Sequence, residues 1–455
     1  MRLRNWQADC SEKAVAHFKN GNSNFFLVSP PGTGKSVTVA EIAAQLYEEG
    51  LADLILCISP SAEIRDGLYR TFNKRMPESF HKGLGTVGES ITYQRLLSLD
   101  ANFLAAARNK RLLVICDEIH HCSGGGDSIP NAWGRKMLEH ILELATYTVC
   151  MSGTPWRTDQ LPIALAKYDQ ESLVVNYQYT LLQAVEEQVC RQPVLCLVDN
   201  DDCRVDETNY RSINEALAKT DLMYRQILEN DPAIKHLLRL SIGKLNEIRA
   251  HTPDAAGLVV AHSIEHAHRI KRMLEQTFNQ SVQLVSYREK NPQRIIEQFR
   301  HGQTKWIVSI GMVSEGTDIP RLFVCCHITT IRTELYFRQV LGRVLRLRVQ
   351  DQSSEGYLFT FAEPQLKCFS NRIQSELPHL EVLRKPKPIL IPQSSPVTET
   401  SETSAITGNR GNSSFTFGEQ SSNAQSPRTS DKTADICWSF RGAFREEIIR
   451  AMSQI

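Results

Sequence analysis

Short apolar runs punctuate the chain in two series. In the first, residues 25–28, 54–59, 112–116 and 146–151 are hydrophobic stretches interrupted only by the small hydroxyl residues Ser59, Thr146 and Thr148, and each is followed by a small polar cluster. Runs of this length predict strands covered on both faces, not the one-sided strands that alternate. Segments at helical spacing lie between them: Trp6, Cys10, Ala14 and Phe18 predict an amphipathic helix within 1–20, and Ile64, Leu68 and Phe72 predict another. Strands alternating with helices predict a parallel sheet with helices on both faces, and functional residues at the carboxyl ends of its strands.

The second series runs through residues 257–261, 282–285, 306–310, 322–325 and 357–360, with helices near 264–278 and 292–300. Between the two series the pattern loosens. Residues 199–202 read as a loop, and 211–250 read as helices with an apolar stripe at Leu237, Ile242, Leu245 and Ile248. The expected class is therefore α/β with two tandem parallel-sheet domains: an N-terminal domain over 1–195, a helical linker over 196–250 and a C-terminal domain over 251–390. Residues 391–433 are rich in Ser, Thr, Gln and Asn and nearly free of aliphatic side chains, which predicts a disordered tail. In 434–455, Phe444, Ile448 and Met452 fall at helical spacing and predict a short amphipathic helix, suited to docking on the core or on a protein partner.

Composition adds few constraints. The chain has 455 residues, 41% hydrophobic and 23% charged, which fits a soluble protein with more than one core. No apolar stretch reaches membrane-spanning length, and the first residues lack the apolar core of an export signal, so a cytoplasmic location is expected. The twelve cysteines include no C-x-x-C pair, and His120, His121 and Cys122 are adjacent residues that make a poor chelate. A net charge of +1 leaves nucleic-acid binding open, since local grooves and backbone amides need no global excess of cations.

The chemistry concentrates at strand ends. After the run 25–28 comes Ser29-Pro30-Pro31-Gly32-Thr33-Gly34-Lys35-Ser36, and a helical pattern follows. A glycine-bearing loop between strand and helix turns its N–H groups around a polyphosphate, with Lys35 reaching the terminal phosphates and Ser36 holding Mg²⁺. Ser29 stands where the usual pattern has glycine. Arg4 and Gln7 precede the loop by one helix and one strand, close enough to fold back over a bound nucleotide. Asp117-Glu118 ends the run 112–116: one carboxylate can hold Mg²⁺, while the other orients and deprotonates an attacking water. Gln339, Gly342, Arg343 and Arg346 fall at i, i+3, i+4 and i+7, so a helix there would carry an amide and two guanidinium groups on one face.

In their order, these motifs resemble those of superfamily-2 DEAD/DEAH-box (DExH) helicases, in particular the helicase-like proteins grouped with type III restriction subunits. Residues 1–363 carry the likeness. It implies two RecA-like domains with ATP and Mg²⁺ between them, and roles for the matching positions. Arg4 and Gln7 would read adenine, and Pro31, Gly32, Thr33, Gly34, Lys35 and Ser36 would hold the phosphates. Asp117 and Glu118 would serve metal and water, and His120, Ser152 and Thr154 would couple hydrolysis to movement. Residues 314–320, with Gly316 and Asp318, and residues 339–346, with Gln339 and the arginines Arg343 and Arg346, match the last two motifs. By the same likeness Ser59, Ser61, Thr92, Tyr93, Gln94, His262, Ser263 and Ser309 would touch a nucleic-acid backbone, DNA in preference to RNA. An RNA helicase and an ATP-gated duplex-binding clamp of a defence or restriction complex are the alternatives.

Overall fold

Each apolar run of the N-terminal series forms a strand of one sheet. The computed structural model describes residues 2–77, 80, 86–98, 105, 107–118, 140–153, 168–169, 172–311, 318–348, 350–351, 353–376, 380–383 and 437–451. In it β1 (Asn24–Val28), β2 (Leu54–Ser59), β3 (Gly88–Thr92), β4 (Leu112–Asp117) and β5 (Ala145–Ser152) pair in parallel. A short pair, β6 (Tyr168–Asp169) and β7 (Ser172–Leu173), stands apart, and β8 (Tyr177–Gln178) completes the sheet in the order β3-β2-β4-β5-β1-β8. All six residues of β4 are buried, which is why its sequence does not alternate. The helix α1 (Asn5–Lys19) buries the stripe Trp6, Cys10, Ala14 and Phe18, and α2 (Lys35–Glu48) starts directly after the glycine loop.

The second lobe is built on β9 (Gln192–Asn200), β12 (Ala256–Ala261), β13 (Val282–Val285), β14 (Trp306–Ser309), β15 (Leu322–Ile328) and β16 (Glu355–Phe361). These run parallel, and two further strands, β17 (Leu380–Leu383) and β19 (Phe444–Ala451), extend the sheet antiparallel in the order β13-β14-β12-β15-β16-β9-β19-β17. A small sheet of β10 (Cys203–Val205), β11 (Thr208–Tyr210) and β18 (Trp438–Phe440) lies beside it. The helix Asp231–Arg249 packs on β15 and β16 through Leu237, Ile242, Leu245 and Ile248, the expected stripe.

Two expectations are revised. β9 pairs with β16 over seven positions, so the second lobe begins at residue 192, and a division at 195 with a separate linker over 196–250 cuts through it. The acidic loop after Asn200 obscures the apolar run 194–198, which reads as a strand only once β16 is beside it. The C-terminal segment is also not a helix: residues 438–440 and 444–451 are strands. Phe444 and Ile448 satisfy a helical spacing, but the open edge of β9 offers a seven-residue ladder from Phe444 with Asn200 to Arg450 with Val194. Backbone hydrogen bonds and burial of Ile449 outweigh that spacing. Residues 391–433 lie outside the described residues.

Ending the chain at residue 436 removes β18 and β19 and bares the edge of β9, so the melting temperature should fall by several degrees in calorimetry. An unchanged melting curve would show that the ladder contributes nothing to the fold.

Candidate active site

The loop after β1 is held from three sides. Gly32 (φ +86°) and Gly34 (φ +99°) adopt left-handed backbone, and their missing Cβ atoms leave room for two approaching side chains. A Cβ on Gly34 would lie 2.7 Å from Nε2 of Gln7, and one on Gly32 would lie 3.0 Å from Cγ of Arg346. Arg4 donates from Nη1 to the Thr33 carbonyl at 2.5 Å, and Gln7 donates from Nε2 to the Gly34 carbonyl at 3.1 Å. Oε1 of Gln7 accepts from the Arg4 N–H at 2.9 Å, so the start of α1 clasps the loop with its two side chains locked together. Ser29 fits in place of glycine because its hydroxyl turns inward and shares a 2.9 Å hydrogen bond with the Thr33 hydroxyl. Lys35 donates from Nζ to the Ser29 carbonyl at 3.0 Å and lies 4.0 Å from Oε1 of Glu118.

Two carboxylates with different surroundings end β4. Asp117 is buried, and among the described residues no donor reaches its Oδ1. Burial, with the Glu118 charge beside it, pushes the Asp117 carboxyl above the usual carboxylate range. A buried carboxylate oxygen with no hydrogen-bond partner, facing a loop that presents a serine hydroxyl, suits a hard divalent cation. Glu118 sits at φ +48°, a strained conformation for a side chain with a Cβ. Its Oε2 accepts from the Gly153 N–H at 3.3 Å and from the Ser152 hydroxyl at 3.4 Å. The end of β5 thereby holds the carboxylate in place.

The second lobe closes the site. A cleft of about 810 Å³ is lined by Gly32, Gly34, Lys35, Ser36, Asp117 and Glu118 on one side and by Asp318, Arg343, Arg346 and Arg348 on the other. The single helical face expected over 339–346 is revised. The helix Glu334–Leu341 ends with Gly342 as its cap, so Gln339 lies inside the helix while Arg343 falls in the turn that follows and Arg346 lies beyond that turn. Gly342 packs so closely on Pro31 that an added Cβ would stand 2.5 Å from the Pro31 Cβ, and beyond it Arg346 pairs with Cys190 as an isolated antiparallel bridge. The arginines thus reach the cleft, and Gln339 is not among its described lining. Nη1 of Arg346 donates to Oδ1 of Asp318 at 2.6 Å. Glu63 and Arg300 also line the cleft and were not singled out from sequence, since no motif spacing marks them. Arg348 had a signal, the continued run of arginines after Arg343.

The expected nucleic-acid positions divide. Ser59 and Ser309 are buried at strand ends, and the Ser59 hydroxyl donates to the Ile91 carbonyl at 3.2 Å. Ser61 and Ser263 cap the helices Ala62–Arg75 and Ile264–Arg272, accepting from the N–H groups of Ile64 and His266. Thr92 ends β3, the Tyr93 hydroxyl donates to the Asp117 carbonyl at 3.0 Å, and Gln94 is exposed. Nε2 of His262 lies 3.5 Å from Glu229, with its ring stacked on His266. His120, Thr154 and Gly316 lie outside the described residues, as do His121 and Cys122.

Gly34→Ala places a Cβ against Gln7 and forces a left-handed alanine, so it should cost about 1–2 kcal/mol or more in urea unfolding. A variant as stable as the wild type would show that α1 does not clasp the loop.

Residues 1–157 match the family model described as type III restriction enzyme, res subunit, and residues 236–348 match the model for the helicase conserved C-terminal domain. An uncharacterized protein of Mycobacterium leprae is 26% identical over 84% of this chain and 65% of its own length. The DNA 3'-5' translocase XPB2 of Sulfurisphaera tokodaii is 23% identical over 76% of this chain and 79% of its own. The solved structure of the ATP-dependent type ISP restriction-modification enzyme LlaBIII bound to DNA shares the fold, with a TM-score of 0.54 at 17% identity over 79% of this chain and 27% of that one. The chain spans just under two thirds of the length of the mycobacterial relatives it matches. With both domain matches in this order on two parallel-sheet lobes, the chain carries the RecA-like core of a superfamily-2 helicase, resembling the res subunit of type III restriction enzymes.

Proposed function

We propose that the chain is an ATP-driven translocase or helicase acting on DNA, with ATP hydrolysed in the cleft between its lobes. One observation carries this reading: Lys35, Ser36, Asp117 and Glu118 of one lobe face Arg343 and Arg346 of the other across a single cleft. The N–H groups of the glycine loop and Lys35 bind the phosphates, while Arg4 and Gln7 brace the loop and meet the base. Ser36 and Asp117 hold Mg²⁺, which, when bound, neutralises charge on the phosphate oxygens. Glu118, fixed by Ser152 and the Gly153 N–H, orients the water and takes its proton. Arg343 and Arg346 stabilise the charge that builds on the transferred phosphoryl group, so hydrolysis requires both lobes.

DNA is preferred as the track because the translocase relative acts on DNA and the first lobe resembles a restriction subunit. Ser61, Thr92, Tyr93, Gln94, His262 and Ser263, none of them buried, remain the candidate backbone contacts. Among the described residues no helix is long and apolar enough to cross a membrane. The C-terminal segment docks on the core, as strand β19 along β9 and not as a helix.

ATP turnover with no nucleic acid, with single- and double-stranded DNA and with RNA tests the reading, and triplex or strand displacement separates movement from clamping. DNA should stimulate most. Stimulation by RNA alone would reverse the preference, and ATP-dependent binding without displacement would favour the clamp. Glu118→Gln should keep nucleotide binding and lose about 10²–10⁴ in turnover. Arg343→Ala or Arg346→Ala should lose about 10³ or more with little change in ATP affinity. Full turnover in these variants would remove their residues from the reaction.

A further inference from the structure

Arg191 is the last residue before the chain enters β9, and its side chain is fully buried. The guanidinium lies on the Phe323 ring, 3.3 Å from its centre. Nη1 donates to the carbonyls of Leu322 at 2.6 Å and Val344 at 3.0 Å. Nη2 donates to the Pro320 carbonyl at 3.0 Å and to Oδ2 of Asp351 at 2.6 Å. The backbone N–H of the same residue donates to the Leu345 carbonyl at 2.7 Å. Asp351 is equally enclosed and also accepts from the backbone and Nε of Arg348.

These acceptors are not scattered. Pro320 and Leu322 follow Asp318 in the segment that forms one wall of the cleft, and Val344 and Leu345 stand between Arg343 and Arg346. One planar fork therefore pins together two backbone segments that each present charged groups to the cleft. A buried apolar side chain would fill the same space without the cost of stripping water from a cation, so stability is a poor account of an arginine here. Carbonyl geometry is the better one, because the fork fixes the direction of each bond as well as its length.

We infer that Arg191 is a positioning residue: it holds the backbone that carries Arg343 and Arg346 at a set distance from the segment that carries Asp318, and so sets the reach of both arginines into the cleft. The inference rests on the proposed ATP cleft. It adds a residue from the chain crossing between the lobes, outside every motif that marked the site in the sequence.

The test is a steady-state ATP titration of the full chain with whichever nucleic acid stimulates the wild type most. Arg191→Lys keeps the charge but replaces the fork with a point donor that cannot span four acceptors. Turnover should fall by about tenfold to a hundredfold, as for sub-ångström to ångström misplacement of a reacting group, with KM for ATP within about threefold of wild type. Adding Arg191→Lys to Arg346→Ala should slow turnover by a smaller factor than adding it to the wild type, because only Arg343 is then left to position. Wild-type turnover in Arg191→Lys, or losses that multiply in the double variant, would overturn the inference. If Arg191→Lys does not fold, Asp351→Asn, which removes the counter-charge and keeps the shape, takes its place with the same two expectations and the same overturning results. The failure of the cleft reading looks different: Arg346→Ala itself would then turn over ATP at the wild-type rate, and this inference would fall with it.

Discussion

The cleft depends on how closely three segments approach one loop. Gln7 of α1 comes against Gly34, Arg346 of the second lobe comes against Gly32, and Gly342 at the end of the preceding helix comes against Pro31. None of these contacts leaves room for a Cβ without displacing a neighbour. The loop therefore acts as the common seat of a helix, its own strand and the opposite lobe. Its backbone geometry decides at once where a phosphate would lie and where the arginines end. The left-handed turns at Gly32 and Gly34 also lie directly before the N-terminus of α2, where a helix favours an anion, so the conformation that admits these neighbours is the one that leads into that end.

Around this seat the two lobes hold complementary charge. The first supplies Lys35 between a carbonyl and Glu118, with Asp117 buried beside them and short of a donor at Oδ1. The second supplies Arg343, Arg346 and Arg348, with Asp318 as the acid paired to Arg346. On the proposed reading neither set is complete for hydrolysis by itself. The first lobe has Lys35 but not the arginines that would stabilise a developing phosphoryl charge, and the arginines of the second lobe have no base beside them to activate water. Division of the proposed machinery between lobes would make lobe geometry part of the chemistry.

Much of this was legible in the sequence because buried parallel strands write themselves as nearly unbroken apolar runs. The runs at 25–28, 54–59, 112–116 and 146–151 became β1, β2, β4 and β5, and the polar clusters after β1 and β4 line the cleft. What was not legible depended on partners far away in the chain. Residues 444–451 have a helical apolar spacing and become a strand only because β9 leaves an edge 244 positions upstream. The run 194–198 is hidden by the acidic loop that follows it. Arg343 and Arg346 keep the spacing of a helical face, yet the helix stops at Gly342, where contact with Pro31 and pairing with Cys190 redirect the chain. Ser59 shows the opposite case: its residue type suits a phosphate contact, and the engagement of its hydroxyl by β3 shows only in the structure. Arg191 carried no local signal, since its partners come from segments more than 120 residues away.

On the proposed reading, the pair Arg346–Asp318 gives the second lobe a way to respond to nucleotide. The Asp318 carboxylate is 70% exposed, and an ion pair with so wet a partner contributes at most about 1 kcal/mol. A polyphosphate in the cleft offers the same guanidinium a multiply charged partner in two-pronged geometry, in a less hydrated place. Exchange of one acid for the other is therefore favourable, and it requires only the arginine side chain to swing. The backbone need not follow, because Arg300 donates to the Asp318 carbonyl at 2.6 Å while Arg191 grips the carbonyls of Pro320, Leu322 and Val344. A side chain that can change partners is thus mounted on a frame that stays in place. That combination lets a small gain in ion pairing be expressed as a defined position of an arginine instead of being lost in movement of the chain.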